Sequence, residues 1–228
     1  MVAVVTGAGR GIGRAIAHAL AAEGANLALC ARTQSQLDDA ASEIHEAVAG
    51  QVDILAVRCD VASDADVARF ADQVRSRLGP PLVLVNNAGV ALRGRLDEQH
   101  PAEFFAVVDV NLHGTYRVTR AFLPAMRAAR SGRIINLSSI SGRLGAPSMT
   151  AYCAAKHGVV GLTRALAEEL RDEGIQVNAI CPGSVDTDML AGSGYEPAMS
   201  AEEIARVAVF LATDAPPALT GACLDVFG

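Results

Sequence analysis

Thr6-Gly7-Ala8-Gly9-Arg10-Gly11-Ile12-Gly13 stands between an apolar run, Val2–Thr6, and a segment of helical periodicity, Ile12–Glu23. Glycine lets a backbone turn sharply and approach a ligand closely. A helix that starts at the end of such a turn offers unpaired N–H groups and its positive dipole end to an anion. Here Gly7, Gly11 and Gly13 supply the turn, the close approach and the packing of helix on strand, and Gly9 and Arg10 complete the loop that wraps the anion. The spacing is G-x-x-x-G-x-G; the commoner G-x-G-x-x-G is not met, because Ile12 and Arg14 occupy its last position in either register.

The same alternation continues outward to the C-terminus. Strands are predicted at Val2–Thr6, Asn26–Cys30, Asp53–Cys59, Leu82–Val85, Arg133–Leu137, Ile175–Ile180 and Ala222–Val226. Helices are predicted at Ile12–Glu23, Gln34–Val48, Asp64–Leu78, Phe104–Ala129, Ala151–Arg171 and Ala201–Thr213, with Pro124 expected to kink or end the fourth. Alternating strands and helices build βαβ units. The expected fold is therefore α/β: a doubly wound parallel sheet of about seven strands, helices on both faces, Rossmann-type, with residues 1–228 forming a single domain. Composition agrees, since hydrophobic residues make up 51% of the chain, aromatics only 4%, and Trp is absent. The Gly192-Ser193-Gly194 run, in the one stretch that offers room for a small lid, is expected to be mobile.

Several function classes are excluded. The net charge of −6 comes without a basic block, which argues against nucleic-acid partners. No apolar run approaches the roughly 18 residues of a membrane span. The N-terminus lacks a basic region before a long apolar one, so no secretory leader is expected. Cys30, Cys59, Cys153, Cys181 and Cys223 lie far apart and read as reduced small side chains of a cytoplasmic protein. His18, His45, His100, His113 and His157 form no spaced cluster, so no metal site is expected.

In such a fold the end of the second strand reads the adenosine ribose, where a carboxylate would favour NAD. This strand runs into Cys30-Ala31-Arg32-Thr33 with no acid, and Asp38 and Asp39 fall inside the next helix, facing away. Arg32, with Arg10 from the glycine loop, can clamp a 2′-phosphate instead. The cofactor expected is NADP(H).

Tyr152 and Lys156 lie four apart on one helical face. An ammonium beside a phenol is expected to pull the phenol below its usual value of about 10, making it a proton donor to a carbonyl or an acceptor from an alcohol. Ser139 follows the strand Arg133–Leu137, at the edge where ligand crevices open. It can hold a substrate oxygen; Ser138 and Ser141 offer the same chemistry, and spacing does not choose among them. Asn111, in the long helix, can hold a water that links Lys156 to solvent.

Together these residues resemble the short-chain dehydrogenase/reductase family over nearly the whole chain. The matching segments are Thr6-Gly-x-x-x-Gly-x-Gly13, Asp60-Val61, Asn86-Asn87-Ala88-Gly89, Asn111, Ser138-Ser139, Tyr152-x-x-x-Lys156 and Pro182-Gly183-x-x-x-Thr187. The resemblance implies that Asp60 and Val61 contact adenine, and that Asn87, Ala88 and Gly89 shape the cofactor crevice. It aligns Ser139 with the substrate-oxygen donor, Tyr152 with the acid/base and Asn111 with the proton relay. Lys156 aligns with the residue that holds the nicotinamide ribose and tunes Tyr152. Ile180, Pro182, Gly183 and Thr187 fall where the family cradles the nicotinamide amide and phosphates. The family also implies a homotetramer or homodimer, paired through the long helix and the Tyr152 helix.

The implied activity is hydride transfer between NADP(H) and a small-molecule carbonyl or secondary alcohol, with 3-oxoacyl-[acyl-carrier-protein] reductases the most similar members. Those reductases often dock an acidic carrier on two arginines. Arg130 matches one, but Glu173 stands where the other is expected, and a carboxylate repels an acidic partner. The ending Asp225-Val226-Phe227-Gly228 and the short region after Thr187 also depart from the family. Two alternatives stand beside it: an epimerase or dehydratase, which needs a larger C-terminal substrate domain, and a non-catalytic NADP(H)-binding module, which usually loses the Tyr or Lys that this chain keeps.

Overall fold

The computed structural model describes residues 1–191 and 194–228; Gly192 and Ser193, on which the expected mobile run falls, lie outside the described residues. Seven strands form one parallel sheet: β1 (Val2–Thr6), β2 (Asn26–Ala31), β3 (Ile54–Arg58), β4 (Val83–Asn86), β5 (Gly132–Leu137), β6 (Ile175–Pro182) and β7 (Cys223–Val226). Their order is β3-β2-β1-β4-β5-β6-β7, so the chain reverses direction between β3 and β4 and leaves a crevice above the carboxyl ends of β1 and β4.

Side chains of successive strand residues go to opposite faces, and both faces are dry. Ala3 and Val5 of β1 and Leu27 and Leu29 of β2 join the core on one face; Val4, Ala28 and Cys30 join the core on the other. Helices α1 (Gly11–Ala22), α2 (Gln34–Ala47) and α7 (Ala201–Thr213) cover the first face through Ile16, Leu20, Leu37, Ile44, Ile204 and Leu211. Helices α3 (Asp64–Arg77), α5 (Gly114–Ala129) and α6 (Thr150–Glu169) cover the second, where Phe70 and Phe122 meet edge to face at 5.8 Å.

Helix starts follow their sequence signals. Ser63 caps α3, and Ser200 with Glu203 forms a capping box on α7. The helix α4 (Pro101–Val108) begins three residues before the predicted Phe104, because His100 accepts from the Ala102 N–H and Pro101 suits a first helical position. The predicted single helix to Ala129 is interrupted: Asp109–His113 forms a π-turn between α4 and α5. Its one extra residue per turn re-aims the side chains it carries. Pro124 does not end α5, which runs on to Ala129; Pro124 and Arg120, whose carbonyl loses its helical partner, are both on the solvent side.

A buried amide ladder ties sheet to helices. Asn86 Nδ2 donates to Asn136 Oδ1 and Thr119 Oγ1, each at 2.9 Å, and Asn136 Nδ2 donates to Thr163 Oγ1 at 2.9 Å. The five cysteines are free thiols, with Cys30, Cys59 and Cys181 buried. Among the described residues no helix is long and apolar enough to cross a membrane, and no group of three His, Cys, Asp or Glu is placed to hold a metal.

Candidate active site

A crevice of about 470 Å³ runs along the carboxyl edge of the sheet. Gly7, Gly9, Arg10, Gly11 and Ile12 form one wall, and Arg32 closes it at the end of β2. Asp60 and Val61, just beyond β3, and Asn87, Ala88 and Gly89, just beyond β4, form the opposite side, with Thr187 across from the glycine loop. Gly13 lies beneath: a Cβ there would run into the Gly7 carbonyl and the Asn87 amide. Gly7 and Gly11 have φ of 65° and 54°, left-handed values that glycine adopts without strain.

The loop ends at an open helix terminus. Arg10 occupies the cap position of α1, makes no side-chain capping bond, and no acid stands in the first turn. The first N–H groups of α1 are therefore offered to whatever occupies the crevice, whereas α3 and α7 each give one such N–H to a capping serine. Asn87 holds the loop in place: its Nδ2 donates to the Thr6 and Gly7 carbonyls at 3.0 and 3.2 Å, while Thr6 Oγ1 accepts from the Asn87 and Ala88 N–H groups at 3.0 Å each. An oxygen-and-amide cradle whose free donors converge on a glycine loop fits a dinucleotide's pyrophosphate.

Arg32 is exposed, and among the described residues no carboxylate lies within ion-pair distance of it. Asp38 and Asp39 are exposed on α2 and away from the crevice. Arg10 is engaged: its Nη1 meets Asp188 Oδ2 at 2.9 Å, a bridge from the glycine loop to the segment after β6. Sequence reasoning missed Asp188, and also Gln36, which presses on Gly9 (a Cβ there would lie 3.0 Å from the Gln36 Cβ). Only a fold places the first turn of α2 over that loop.

The second group of residues converges at the other end. Gly89 marks the junction: a Cβ on it would lie 2.7 Å from Asn111 Oδ1 and 3.6 Å from Lys156 Nζ. Asn111 sits in the π-turn, wholly buried, with Nδ2 donating to the Val90 and Val107 carbonyls at 2.7 and 2.8 Å. Among the described residues its Oδ1 has no hydrogen-bond partner, which suits a bound water. Lys156 Nζ donates to the Leu137 carbonyl at 2.7 Å and lies 5.6 Å from the centre of the Tyr152 ring. Both side chains stand on the first turns of α6, as their four-residue spacing requires.

The serines separate by partner. Ser138 Oγ donates to the Lys156 carbonyl at 2.9 Å, binding β5 to α6. Ser139 Oγ accepts from the Ser141 N–H at 3.1 Å and is hydrogen-bonded to Tyr152. Pro182 ends β6, and the Gly183 N–H donates to the Val226 carbonyl at 2.8 Å, so the C-terminal residues brace that turn.

Burial acts on both titrating groups. It pushes the Tyr152 phenol up to about 12, against a lowering by the Ser139 hydrogen bond. It pushes Lys156 down to about 8. The expectation that the ammonium lowers the phenol is therefore not met: desolvation of the phenolate dominates, and Nζ is turned to the Leu137 carbonyl.

The family described as short chain dehydrogenase matches residues 1–197. The 3-oxoacyl-[acyl-carrier-protein] reductase of Pseudomonas aeruginosa is 41% identical, covering 100% of this chain and 96% of its own. That of Synechocystis is 38% identical, with 100% and 95% covered. The crystal structure of levodione reductase superposes with a TM-score of 0.93 at 33% identity, covering 99% of this chain and 95% of its own.

Proposed function

The chain belongs to the short-chain dehydrogenase family, and from that premise we propose that it is an NADPH-dependent reductase of a 3-oxoacyl thioester or a small ketone. The observation that carries the reading is the meeting of Ser139, Tyr152 and Lys156 beside Gly89, at the end of a crevice whose other end is an uncapped helix start.

The free N–H groups of α1 and the glycine loop hold the pyrophosphate. Arg32 holds the 2′-phosphate, joined by Arg10 once it leaves Asp188. Asp60 and Val61 flank adenine, Lys156 holds the nicotinamide ribose, and Pro182, Gly183 and Thr187 bracket the nicotinamide end. The bound nicotinamide supplies the hydride. Ser139 and Tyr152 donate to the carbonyl oxygen and orient it. Tyr152, whose phenol burial holds protonated, delivers its proton to that oxygen as the alcohol forms. Lys156 and a water on Asn111 Oδ1 return the proton.

The names of the relatives support a thioester substrate. Docking of an acidic carrier is less supported: Arg127 is paired with Glu169 and Glu173 at 2.9 and 2.8 Å, and Arg130 donates to the Asp172 carbonyl at 3.0 Å. The reading includes a homotetramer, using the exposed Phe105 and Tyr116 on α4 and α5, and a cytoplasmic location. The test is NADPH and NADH oxidation against a panel of 3-oxoacyl thioesters and ketones. A preference for NADPH that Arg32→Asp reverses supports the reading; equal kcat/KM for both cofactors, unchanged by that substitution, overturns it.

A further inference from the structure

A second open cavity, about 740 Å³, adjoins the chemical end. The β4–α4 loop contributes Arg93, Arg95 and Glu98, and the β5–α6 loop contributes Pro147 and Ser148. The two loops are fastened together by the Gly94 N–H donating to the Ser148 carbonyl at 2.9 Å. Ser148 is four residues from Tyr152, at most about 14 Å of chain. Val90, Ala91, Ala146, Met149 and Tyr152 pack in one apolar cluster, so the same wall runs from the cavity to the phenol.

The third side is formed by Gly194 and Tyr195, a few residues before Met199, which bridges Val185 and accepts from the Asp186 N–H at 2.9 Å. The Arg93 guanidinium lies over the Tyr195 ring, 5.7 Å from its centre. The charges do not cancel. Arg95 is shared by Asp97 and Glu98, each at 3.3 Å. Among the described residues no carboxylate lies within ion-pair distance of Arg93. A guanidinium over an aromatic ring is held there by cation–π attraction, and its N–H donors still suit a carboxylate or phosphate.

We propose that Arg93, set against Tyr195, selects carbonyl substrates that carry an anionic group, a carboxylate or a phosphate, and holds that group in this cavity while the carbonyl reaches Tyr152. The proposal rests on the reductase reading and adds to it the charge of the substrate, which the hydride-transfer residues leave open. Because Arg93 is exposed, its effect is a moderate discrimination, about tenfold.

Two matched pairs test it. The keto acid 5-oxohexanoate is compared with its methyl ester, and acetoacetyl-coenzyme A with acetoacetyl-N-acetylcysteamine, which lacks the phosphates. Each is measured by kcat/KM with NADPH and by calorimetric binding to the NADP⁺ complex, in wild type, Arg93→Gln and Tyr195→Ala. The expected result is that Arg93→Gln lowers kcat/KM and affinity about tenfold for the anionic member of at least one pair, and less than about twofold for its neutral partner. The pair that responds identifies carboxylate or phosphate. Equal losses for charged and neutral partners, or none, overturn the proposal. Charge-dependent binding abolished by Arg93→Gln but without turnover upholds the anion site and overturns the reductase reading.

Discussion

Tyr152 and Lys156 are each driven by burial toward the neutral form, the phenol up to about 12 and the amine down to about 8. The sign matters for direction. With Tyr152 as the proposed acid/base, reduction needs its phenol protonated, which burial favours; oxidation of an alcohol needs the phenolate, which burial penalises. Lys156 is an ammonium below about pH 8 and loses its charge above it. The kcat/KM for reduction should therefore fall as pH rises through about 8, while oxidation gains at alkaline pH. In Lys156→Arg, whose cation persists across this range, the residual reduction should lose that alkaline limb. An identical limb in both proteins would assign it to another group.

The residues that the fold brings together at the candidate site were largely legible because each is a functional group at a fixed chain spacing. Tyr152 and Lys156 needed only a helix, and Gly7, Gly11 and Gly13 only a strand before and a helix after. What the sequence could not show depends on distant segments. The pairing of Arg10 with Asp188 spans 178 positions, and the push on the phenol comes from packing around it, not from its neighbour in the motif.

At the scale of elements, the strands were read to within a residue or two, since β-branched runs bounded by polar turns leave little freedom. The π-turn at Asp109–His113 escaped because the apolar period on either side is helical and one inserted residue leaves no compositional trace. Yet that residue turns Asn111 inward, with its orphan Oδ1 facing Gly89. Asn111→Ala should slow turnover at saturating substrate with little change in NADPH affinity; a proportionate loss of affinity would instead mean that it shapes the cofactor crevice. Among packing elements, Phe122 is 1% exposed and meets Phe70 across α3 and α5. Phe122→Ala should cost about 3–5 kcal/mol of stability in urea unfolding, and a loss under about 1 kcal/mol would mean that this face of the sheet repacks.

For the whole molecule, the strand order brings two distant sequence signals to one edge. The glycine loop after β1 lines the crevice, and Gly89 on the same crevice's wall after β4 abuts Lys156 of the group after β5, because β1, β4 and β5 are neighbours. Alternation alone predicted a doubly wound sheet, and the reversal of strand order made the crevice. The exposed Phe105 and Tyr116 are expected to be covered in an assembly, so light scattering should return a multiple of the 23.5 kDa chain mass; a monomer would contradict the homotetramer.

The most direct test concerns one oxygen atom. Tyr152→Phe removes only the phenolic hydroxyl, and it should reduce NADPH-dependent carbonyl reduction by about 10²–10⁴-fold while NADPH still binds with near wild-type affinity by fluorescence titration. Reduction retained within a few-fold of wild type would contradict the account.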